Sequence, residues 1–409
     1  MSRWGIARRR VLACLVPVLA ALALAACGSA GGEGEGETAT GSDAGYVDWP
    51  LFGRVPERTH YLPAEKGVLD PPLKQAWSIN THALIEFPPA IHDGVAYVIN
   101  KYGNQKAVRL RDREVLWELN LRPRDRGKPS FVTAPVYHRG LVYGAFLDGN
   151  LVARDARTGK RAWVRRFGAH LESSPLAVGD TLYVGTDAND LVALRASDGR
   201  PLWRFHAPGA IKASPSHHHG RVYFADYQSS MFALDAESGK PLWRTNTSRV
   251  PPFGRGGFFS SPAIAFGKVY AARDDGTVYA FDEKTGKVEW SFDTGGYVYG
   301  SPAVAQVPGT KPSVYIGAEN GRFYALDTAT GKVEWHRDVG GPVPGTAVVI
   351  GRTVYTSSFK TRRTIGYDVV TRRKAFELDQ AGYTPVVSDG RRVYAVGYYV
   401  VVGLLPARR

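Results

Sequence analysis

Three clusters of side chains in this sequence have the types needed to bind a metal ion. His217, His218 and His219 are consecutive, and acidic runs occur at residues 187–190 (DAND) and at Asp274-Asp275. Consecutive residues of a strand point to alternate faces, and Asp and Asn are favoured in hairpin turns for backbone reasons. No G-x-S-x-G, H-E-x-x-H or phosphate-binding glycine loop is present. We therefore predict no metal site and no catalytic residue.

The elements that carry these clusters repeat along the chain. The unit is clearest at residues 260–292, SSPAIAFGKVYAARDDGTVYAFDEKTGKVEWSF. Eight units open at a proline or its equivalent, at Pro89, Pro135, Pro175, Pro215, Pro262, Pro302, Ala347 and Pro385. Seven of them close at an aromatic residue, at Trp117, Trp163, Trp203, Trp243, Trp290, Trp335 and Phe376. The closing residues are 40 to 47 positions apart, a period typical of propeller blades.

Each unit has the pattern of four short antiparallel strands. Apolar and polar residues alternate at 268–272 and 277–281, and Asp275-Gly276 between them predicts a tight hairpin. A Thr-Gly-Lys turn follows at 285–287. A small residue precedes each closing aromatic by ten positions, as Ala280 precedes Trp290, so we expect the indole to pack over it and dock neighbouring blades.

The eighth unit, residues 383–402, has no closing tryptophan, whereas Trp77 stands 40 residues before Trp117 with no unit of its own. We therefore predict an all-β, eight-bladed β-propeller whose N-terminal strand completes the last blade and closes the ring. A seven-bladed ring is the alternative. The predicted blade-docking residues are Trp77, Trp117, Trp163, Trp203, Trp243, Trp290 and Trp335.

The N-terminus carries an export signal. Residues 1–26 combine four arginines with an apolar run of 16 residues, which is too short to span a bilayer and is typical of a signal peptide. Leu24-Ala25-Ala26-Cys27 resembles the lipobox of bacterial lipoproteins, which implies lipid attachment at Cys27. Residues 27–46 are then a lipid-anchored flexible spacer rich in Gly and acids, and residues 47–409 form the propeller.

The repeat A-x-D-x-x-[TS]-G-K-x-x-W at 280–290 resembles the pyrroloquinoline-quinone (PQQ)-like propeller family, as does the lead-in Trp49-Pro50-Leu51-Phe52-Gly53. The resemblance covers roughly residues 49–402. One branch of that family comprises quinone-dependent dehydrogenases, which bind the quinone and calcium on the propeller axis. The other branch is non-enzymatic, typified by BamB-type lipoproteins of the outer-membrane β-barrel assembly machinery. The dehydrogenases usually carry a vicinal cysteine pair, which a mature chain with Cys27 as its only cysteine cannot form.

A partner-binding face is predicted from loop lengths. The connections after Trp117 and Trp243 are longer than the others, and in a four-stranded blade they share a face with the loop between the second and third strands. Cations and aromatics collect there, and both can hold anionic polymers, headgroups or acidic protein loops. The predicted face comprises Lys101, Tyr102, Arg122, Arg124, Arg126, Lys128, Tyr227, Arg249, Phe253, Arg255, Phe258, Phe259, Phe359, Lys360, Arg362 and Arg363.

The whole chain has a net charge of +14, and so do residues 47–409, because the arginines of the leader and the carboxylates of the spacer cancel. This charge favours anionic partners, and the exported location argues against nucleic acid. We predict a non-enzymatic propeller scaffold, anchored to the extracytoplasmic face of a bacterial membrane, that binds an envelope protein or anionic envelope polymer as a monomer within a complex. The alternatives are a PQQ-dependent dehydrogenase with bound calcium and a sensor that binds a small ligand in the central funnel.

Overall fold

A computed structural model describes residues 46–120, 133–249, 256–380 and 382–407 of the protein. The chain divides into two compact units, residues 1–41 and 42–409, and every described residue belongs to the second. The described residues form β-strands joined by short connections, with one 3-10 turn at Thr247–Arg249. None of their helices has the length and hydrophobicity needed to span a bilayer.

The strands form eight sheets, which confirms the predicted eight-bladed propeller of four-stranded antiparallel blades and excludes the seven-bladed alternative. In chain order they are β1 (Tyr61–Leu62), β2 (Leu73–Asn80), β3 (Ala90–His92), β4 (Val95–Ile99), β5 (Gln105–Arg109), β6 (Glu114–Leu119), β7 (Val136–His138), β8 (Leu141–Ala145), β9 (Asn150–Asp155), β10 (Arg161–Arg166), β11 (Leu176–Val178), β12 (Thr181–Gly185), β13 (Asp190–Arg195), β14 (Pro201–His206), β15 (Ser216–His218), β16 (Arg221–Ala225) and β17 (Ser230–Asp235). They continue with β18 (Pro241–Asn246), β19 (Ala263–Ala265), β20 (Lys268–Ala272), β21 (Thr277–Asp282), β22 (Val288–Asp293), β23 (Ala303–Ala305), β24 (Ser313–Gly317), β25 (Arg322–Asp327), β26 (Val333–Asp338), β27 (Val348–Ile350), β28 (Thr353–Ser358), β29 (Arg363–Asp368), β30 (Lys374–Leu378), β31 (Val386–Ser388), β32 (Val393–Val396) and β33 (Val400–Pro406).

The N-terminal strand closes the ring, as predicted. Strand β2 pairs antiparallel with β33, so the eighth blade has the order β2-β33-β32-β31. Trp77 lies opposite Gly403 in this pairing, in the place that a closing tryptophan takes in the other blades. The first and last parts of the propeller are therefore held together by a complete strand pairing, which leaves neither as an open sheet edge.

The closing tryptophans dock each blade on the next. The ten-residue interval places Ala153 opposite Trp163 and Ala280 opposite Trp290 in cross-strand pairs. In five successive blades the indole Nε1 donates a hydrogen bond to a backbone oxygen of the next blade: Trp117 to Ala156 (2.8 Å), Trp163 to Ala196 (3.1 Å), Trp203 to Ala236 (3.1 Å), Trp243 to Glu283 (3.1 Å) and Trp290 to Thr328 (3.0 Å). The same ring covers the turn glycine of the next blade, so a Cβ on Gly331 would approach Trp290 to 2.6 Å.

Hydroxyl groups form a belt around the propeller axis. The residue before the opening proline is a serine in four successive blades, and its amide donates to the hydroxyl of the next blade. The bonds run from Ala134 to Ser174, Ser174 to Ser214, Ser214 to Ser261, Ser261 to Ser301 and Ser301 to Thr346, each at 3.0 or 3.1 Å. These side chains satisfy buried backbone amides and so join each blade to the next.

The segment from Val47 to Leu62 runs across the inner strands of the ring and fills the axis. Its backbone accepts hydrogen bonds from blade after blade: Pro50 from Tyr137, Pro56 from His217, Glu57 from Ile264, Thr59 from Val304 and His60 from Val349. Strand β1 at its end pairs in parallel with β27. Arg58, which is fully buried, donates to the backbone oxygens of Phe52, Ser174, Pro175 and Pro215. We refer to residues 47–62 as the axial segment.

Candidate functional site

The propeller has two faces that differ in their connections. The loop face carries the loops between the second and third strands of each blade and the connections between blades. The turn face carries the turns between the first and second strands and between the third and fourth strands, including the Thr-Gly-Lys turns. The described members of the predicted partner set lie in or next to the connections of the loop face.

The structure places the described members of that set as follows. Lys101 and Tyr102 lie between β4 and β5, Tyr227 lies between β16 and β17, and Phe359, Lys360 and Arg362 lie between β28 and β29. Arg249 is exposed at the end of the 3-10 turn, and Arg363 opens β29, where it forms ion pairs with Glu377 (2.5 Å) and Asp379 (3.2 Å). Cys27, Arg122, Arg124, Arg126, Lys128, Phe253 and Arg255 lie outside the described residues.

Phe258 does not belong to the exposed face. It is 0% exposed and packs in a core cluster with Tyr279 and Phe281. It stands four positions before its opening proline, where Leu171, Ile211, Val298 and Val343 are also buried in other blades. Aligning these connections would have separated Phe258 from its neighbour Phe259, which is exposed.

Lys212 is the centre of one part of the loop face, and sequence reasoning missed it. Its Nζ lies 2.7 Å from Glu172 Oε1 and 3.7 Å from Asp187 Oδ2, and it stands over the rings of Tyr227 and Phe259 at 5.5 and 5.9 Å. Burial opposes the charged lysine, but the two carboxylates outweigh it and raise the pKa of Lys212. Burial and the nearby Glu172 raise the pKa of Asp187. These aromatic rings thus already hold one ammonium group.

Exposed aromatic side chains continue from Lys212 across the neighbouring blades. The ring centroids of Tyr227 and Phe259 are 6.4 Å apart, those of Phe259 and Tyr299 are 6.2 Å apart, and Tyr297 stacks on Tyr299 at 6.4 Å. Tyr297 is 62% exposed and Tyr299 is 44% exposed. Burial and a hydrogen bond to Asp274 raise the pKa of Tyr227 to about 12, so its phenol stays neutral. We refer to Tyr227, Phe259, Tyr297 and Tyr299 as the aromatic arc.

A second aromatic group occupies the loop face at the closing blade. Phe359 contacts Tyr383 at 4.5 Å and Tyr398 at 5.4 Å, and Tyr398 contacts Tyr399 at 6.1 Å. The three tyrosines are all exposed. Nothing in the repeat pattern singled them out, because loop tyrosines are not part of the strand alternation.

Carboxylates accompany both aromatic groups. Burial raises the pKa of Glu86 to about 7 although Lys101 opposes the shift, and burial also raises the pKa of Glu319. In the described loops of this face Asp and Glu outnumber Lys and Arg. The predicted cations of residues 122–128 and Arg255 lie outside the described residues, and Glu86, Glu172 and Glu319 were not in the predicted set.

Two cations of the described chain, Lys212 and Arg58, are already engaged by other groups of the protein. Pyrroloquinoline quinone is a tricarboxylate and needs cationic partners, but the carboxylates of Glu172 and Asp187 occupy Lys212, and four backbone oxygens occupy Arg58. No group of three or more His, Cys, Asp or Glu among the described residues could hold a metal ion. His218, one of the three consecutive histidines, lies on β15 and contacts Glu283 Oε1 at 2.7 Å.

The blade repeat, the docking tryptophans and the closed ring define a PQQ-like β-propeller. The chain belongs to the family described as outer membrane protein assembly factor BamB, whose model matches residues 72–176, 147–254 and 233–401.

Curated relatives from both branches match short parts of the chain. 1-Butanol dehydrogenase (cytochrome c) of Thauera butanivorans is 33% identical over 135 residues, which are 31% of this chain and 20% of that protein. Outer membrane protein assembly factor BamB of Salmonella typhimurium is 32% identical over 110 residues, 26% of this chain and 27% of that protein. The chain spans about a fifth of the length of the first of these relatives.

Solved structures of both kinds share the fold. BamB from Moraxella catarrhalis has a TM-score of 0.64 at 18% identity and covers 82% of this chain and 98% of its own. Quinohemoprotein alcohol dehydrogenase from Comamonas testosteroni has a TM-score of 0.70 at 16% identity and covers 88% of this chain and 81% of its own. At these identities the similarity shows the fold alone.

Proposed function

We propose that this protein is a non-enzymatic, extracytoplasmic lipoprotein that binds a protein of the cell envelope through its loop face. The observation that carries the proposal is the aromatic arc, in which Tyr297 and Tyr299 are exposed beside Phe259 on one face of a closed ring. Aromatic residues are enriched at protein interfaces because they bury a large area and lose few rotamers on binding.

The charges around the arc favour a partner with basic side chains. Asp274 accepts a hydrogen bond from Tyr227, and burial together with the charges of Asp274 and Glu319 raises the pKa of Tyr299, so two carboxylates act on the arc. Lys212 shows that an ammonium group is accommodated over these rings. A lysine or arginine from a partner would meet the same combination of ring faces and carboxylates at Tyr299.

The test is a cross-linking pull-down with the full-length chain from bacterial envelopes. The double variant Tyr297→Ala, Tyr299→Ala is expected to lose at least ten-fold of the recovered partner. Phe266→Ala, which removes an exposed aromatic side chain on the turn face, is the matched control and should recover it as the unaltered chain does. Equal recovery by both variants, or no partner that depends on the arc, would contradict the proposal.

Lipid attachment has its own test. Metabolic labelling with a fatty acid should mark the unaltered chain and leave Cys27→Ser unlabelled. Label that persists in Cys27→Ser would show that the anchor is elsewhere.

A quinone-dependent dehydrogenase is the second candidate, because several curated relatives that match this chain are alcohol dehydrogenases of that type. Titration of the full chain with pyrroloquinoline quinone and calcium, followed by tryptophan fluorescence, separates the two candidates. The scaffold predicts no saturable binding. Stoichiometric binding with dye-linked oxidation of an alcohol would replace the scaffold with the enzyme.

A further inference from the structure

The turn face carries a ring of cations. In six consecutive blades the turn between the third and fourth strands places a lysine or arginine at the same position: Lys160, Arg200, Lys240, Lys287, Lys332 and Arg373. All six side chains are exposed. We refer to these six residues as the cation ring.

Within these turns Arg200 Nε lies 3.4 Å from Asp198 Oδ2, while the aspartates that open the turns bind the backbone of their own turn. In blade after blade the aspartate that opens the turn bends back on it, as Asp155 Oδ1 accepts from the amide (2.8 Å) and the hydroxyl (2.6 Å) of Thr158. Asp282 does the same with Thr285. Among the described residues, no ion pair involves Lys160, Lys240, Lys287 or Lys332. The turns of this face as a whole hold more Lys and Arg than Asp and Glu.

The two faces therefore differ in charge. Among the described residues, the loops of the loop face hold more acids than cations, while the turns of the turn face hold more cations than acids. A ring of exposed cations on one face is attracted by the negative potential of an anionic surface.

The described chain also begins at the turn face. The Tyr46 ring lies under the Arg391 guanidinium at 4.2 Å, and the Val47 amide donates to the Asp389 oxygen at 2.8 Å. Residues 389–392 form the turn between β31 and β32. Asp48 contacts His92, at the end of the first strand of the first blade, at 2.5 Å. Cys27 precedes Tyr46 by 19 positions in the sequence.

From the cation ring and this starting point we infer that the turn face docks on the anionic phospholipid headgroups of the membrane that carries the anchor. The inference rests on the proposed lipid attachment. The loop face, with its aromatic arc, is then directed away from the bilayer toward the partner. Lysine ammonium groups at a headgroup surface are attracted by its negative potential, and the attraction is screened by salt.

The test uses the full-length chain reconstituted in vesicles of phosphatidylcholine, with or without about a quarter of phosphatidylglycerol to supply the surface potential. A membrane-impermeant amine reagent labels exposed lysines, which are quantified by mass spectrometry. We expect Lys160, Lys240, Lys287 and Lys332 to react at least about three-fold more slowly on anionic than on neutral vesicles, with Lys101 and Lys360 of the loop face unchanged. About 0.5 M salt, where the Debye length is about 4 Å, should remove the protection.

Charge reversal supplies the matched control. Lys287→Glu with Lys332→Glu should abolish the protection of Lys160 and Lys240, while Lys101→Glu with Lys360→Glu should leave it intact. Equal labelling on both kinds of vesicle, protection of the loop-face lysines, or protection by a soluble polyanion but not by vesicles would overturn the inference. Recovery of the partner through the aromatic arc is measured in detergent without vesicles, so failure of either proposal is distinguishable from failure of the other.

Discussion

Glu86 makes the stability of the loop face depend on pH. Burial raises its pKa to about 7, above its ordinary value of 4.5, so the folded chain binds more protons than the unfolded chain between these two values. Stability contributed by the neutral carboxyl is therefore present at low pH and is lost as the pH rises toward 7 and beyond. We expect Glu86→Gln to raise the melting temperature at pH 8 by about 1–3 °C and to change it little at pH 4.5. Glu237→Gln, at an exposed turn, is the control; a shift of equal size at both pH values would contradict the assignment.

His60 makes stability depend on pH in the opposite direction. Burial and the nearby Arg58 lower its pKa to about 3, and neither ring nitrogen has a hydrogen-bond partner among the described residues. In the unfolded chain this histidine binds a proton near pH 6.5, whereas in the folded chain it stays neutral until about pH 3. The free energy of unfolding therefore falls as the pH drops from about 6.5 toward 3. We expect the melting temperature of His60→Phe to fall less between pH 6.5 and pH 4 than that of the unaltered chain. His170→Gln, an exposed histidine, should keep the slope of the unaltered chain.

At the scale of the element, two docking tryptophans differ in whether the indole forms a hydrogen bond, so the contribution of that bond to stability can be separated from the contribution of packing. Trp163 Nε1 donates to the Ala196 oxygen at 3.1 Å, whereas the buried Trp77 Nε1 has no partner among the described residues. We expect Trp163→Phe to lose about 1 kcal/mol more unfolding free energy than Trp77→Phe, as measured by urea denaturation. Phe376 closes the seventh blade without an indole, which shows that the ring alone suffices for packing. Equal losses of unfolding free energy in the two variants would show that the hydrogen bond does not contribute to stability.

At the scale of the whole molecule, Arg58 joins the axial segment to the third and fourth blades. Replacing it by leucine leaves four buried carbonyl oxygens without a donor, at a cost of about 1–3 kcal/mol for each one that water cannot reach. We expect Arg58→Leu to lower the free energy of unfolding by about 3 kcal/mol or more. Arg54→Leu, in the same segment, removes a single bond to the Tyr61 oxygen and should cost less. A smaller effect for Arg58→Leu than for Arg54→Leu would show that the axial segment does not tie the blades together.

The amino-acid sequence by itself determined the blades. Period-two alternation, Asp-Gly turns and the Ala-to-Trp interval are local patterns, and each is satisfied within one blade or against its neighbour. Closure of the ring was also predictable from the sequence. The eighth unit lacks a closing strand, and the strand that contains Trp77 belongs to no other unit. These features depend on the order of residues along the chain and on packing within a blade or against the next one. Both can therefore be predicted from the sequence.

Only the tertiary structure decided what lies on each face and on the axis. The axial segment contacts inner strands more than 200 residues away, and the hydroxyl belt joins residues 40 to 47 positions apart around a circle. Lys212, Tyr299 and Glu319 lie in three different connections between strands. The spacing of residues within one repeat therefore does not predict that all three lie on the loop face. The burial of Phe258 beside the exposed Phe259 was decided by the core beneath that connection. Burial and charge at such positions depend on the closed ring, because the partners that create them come from distant parts of the chain.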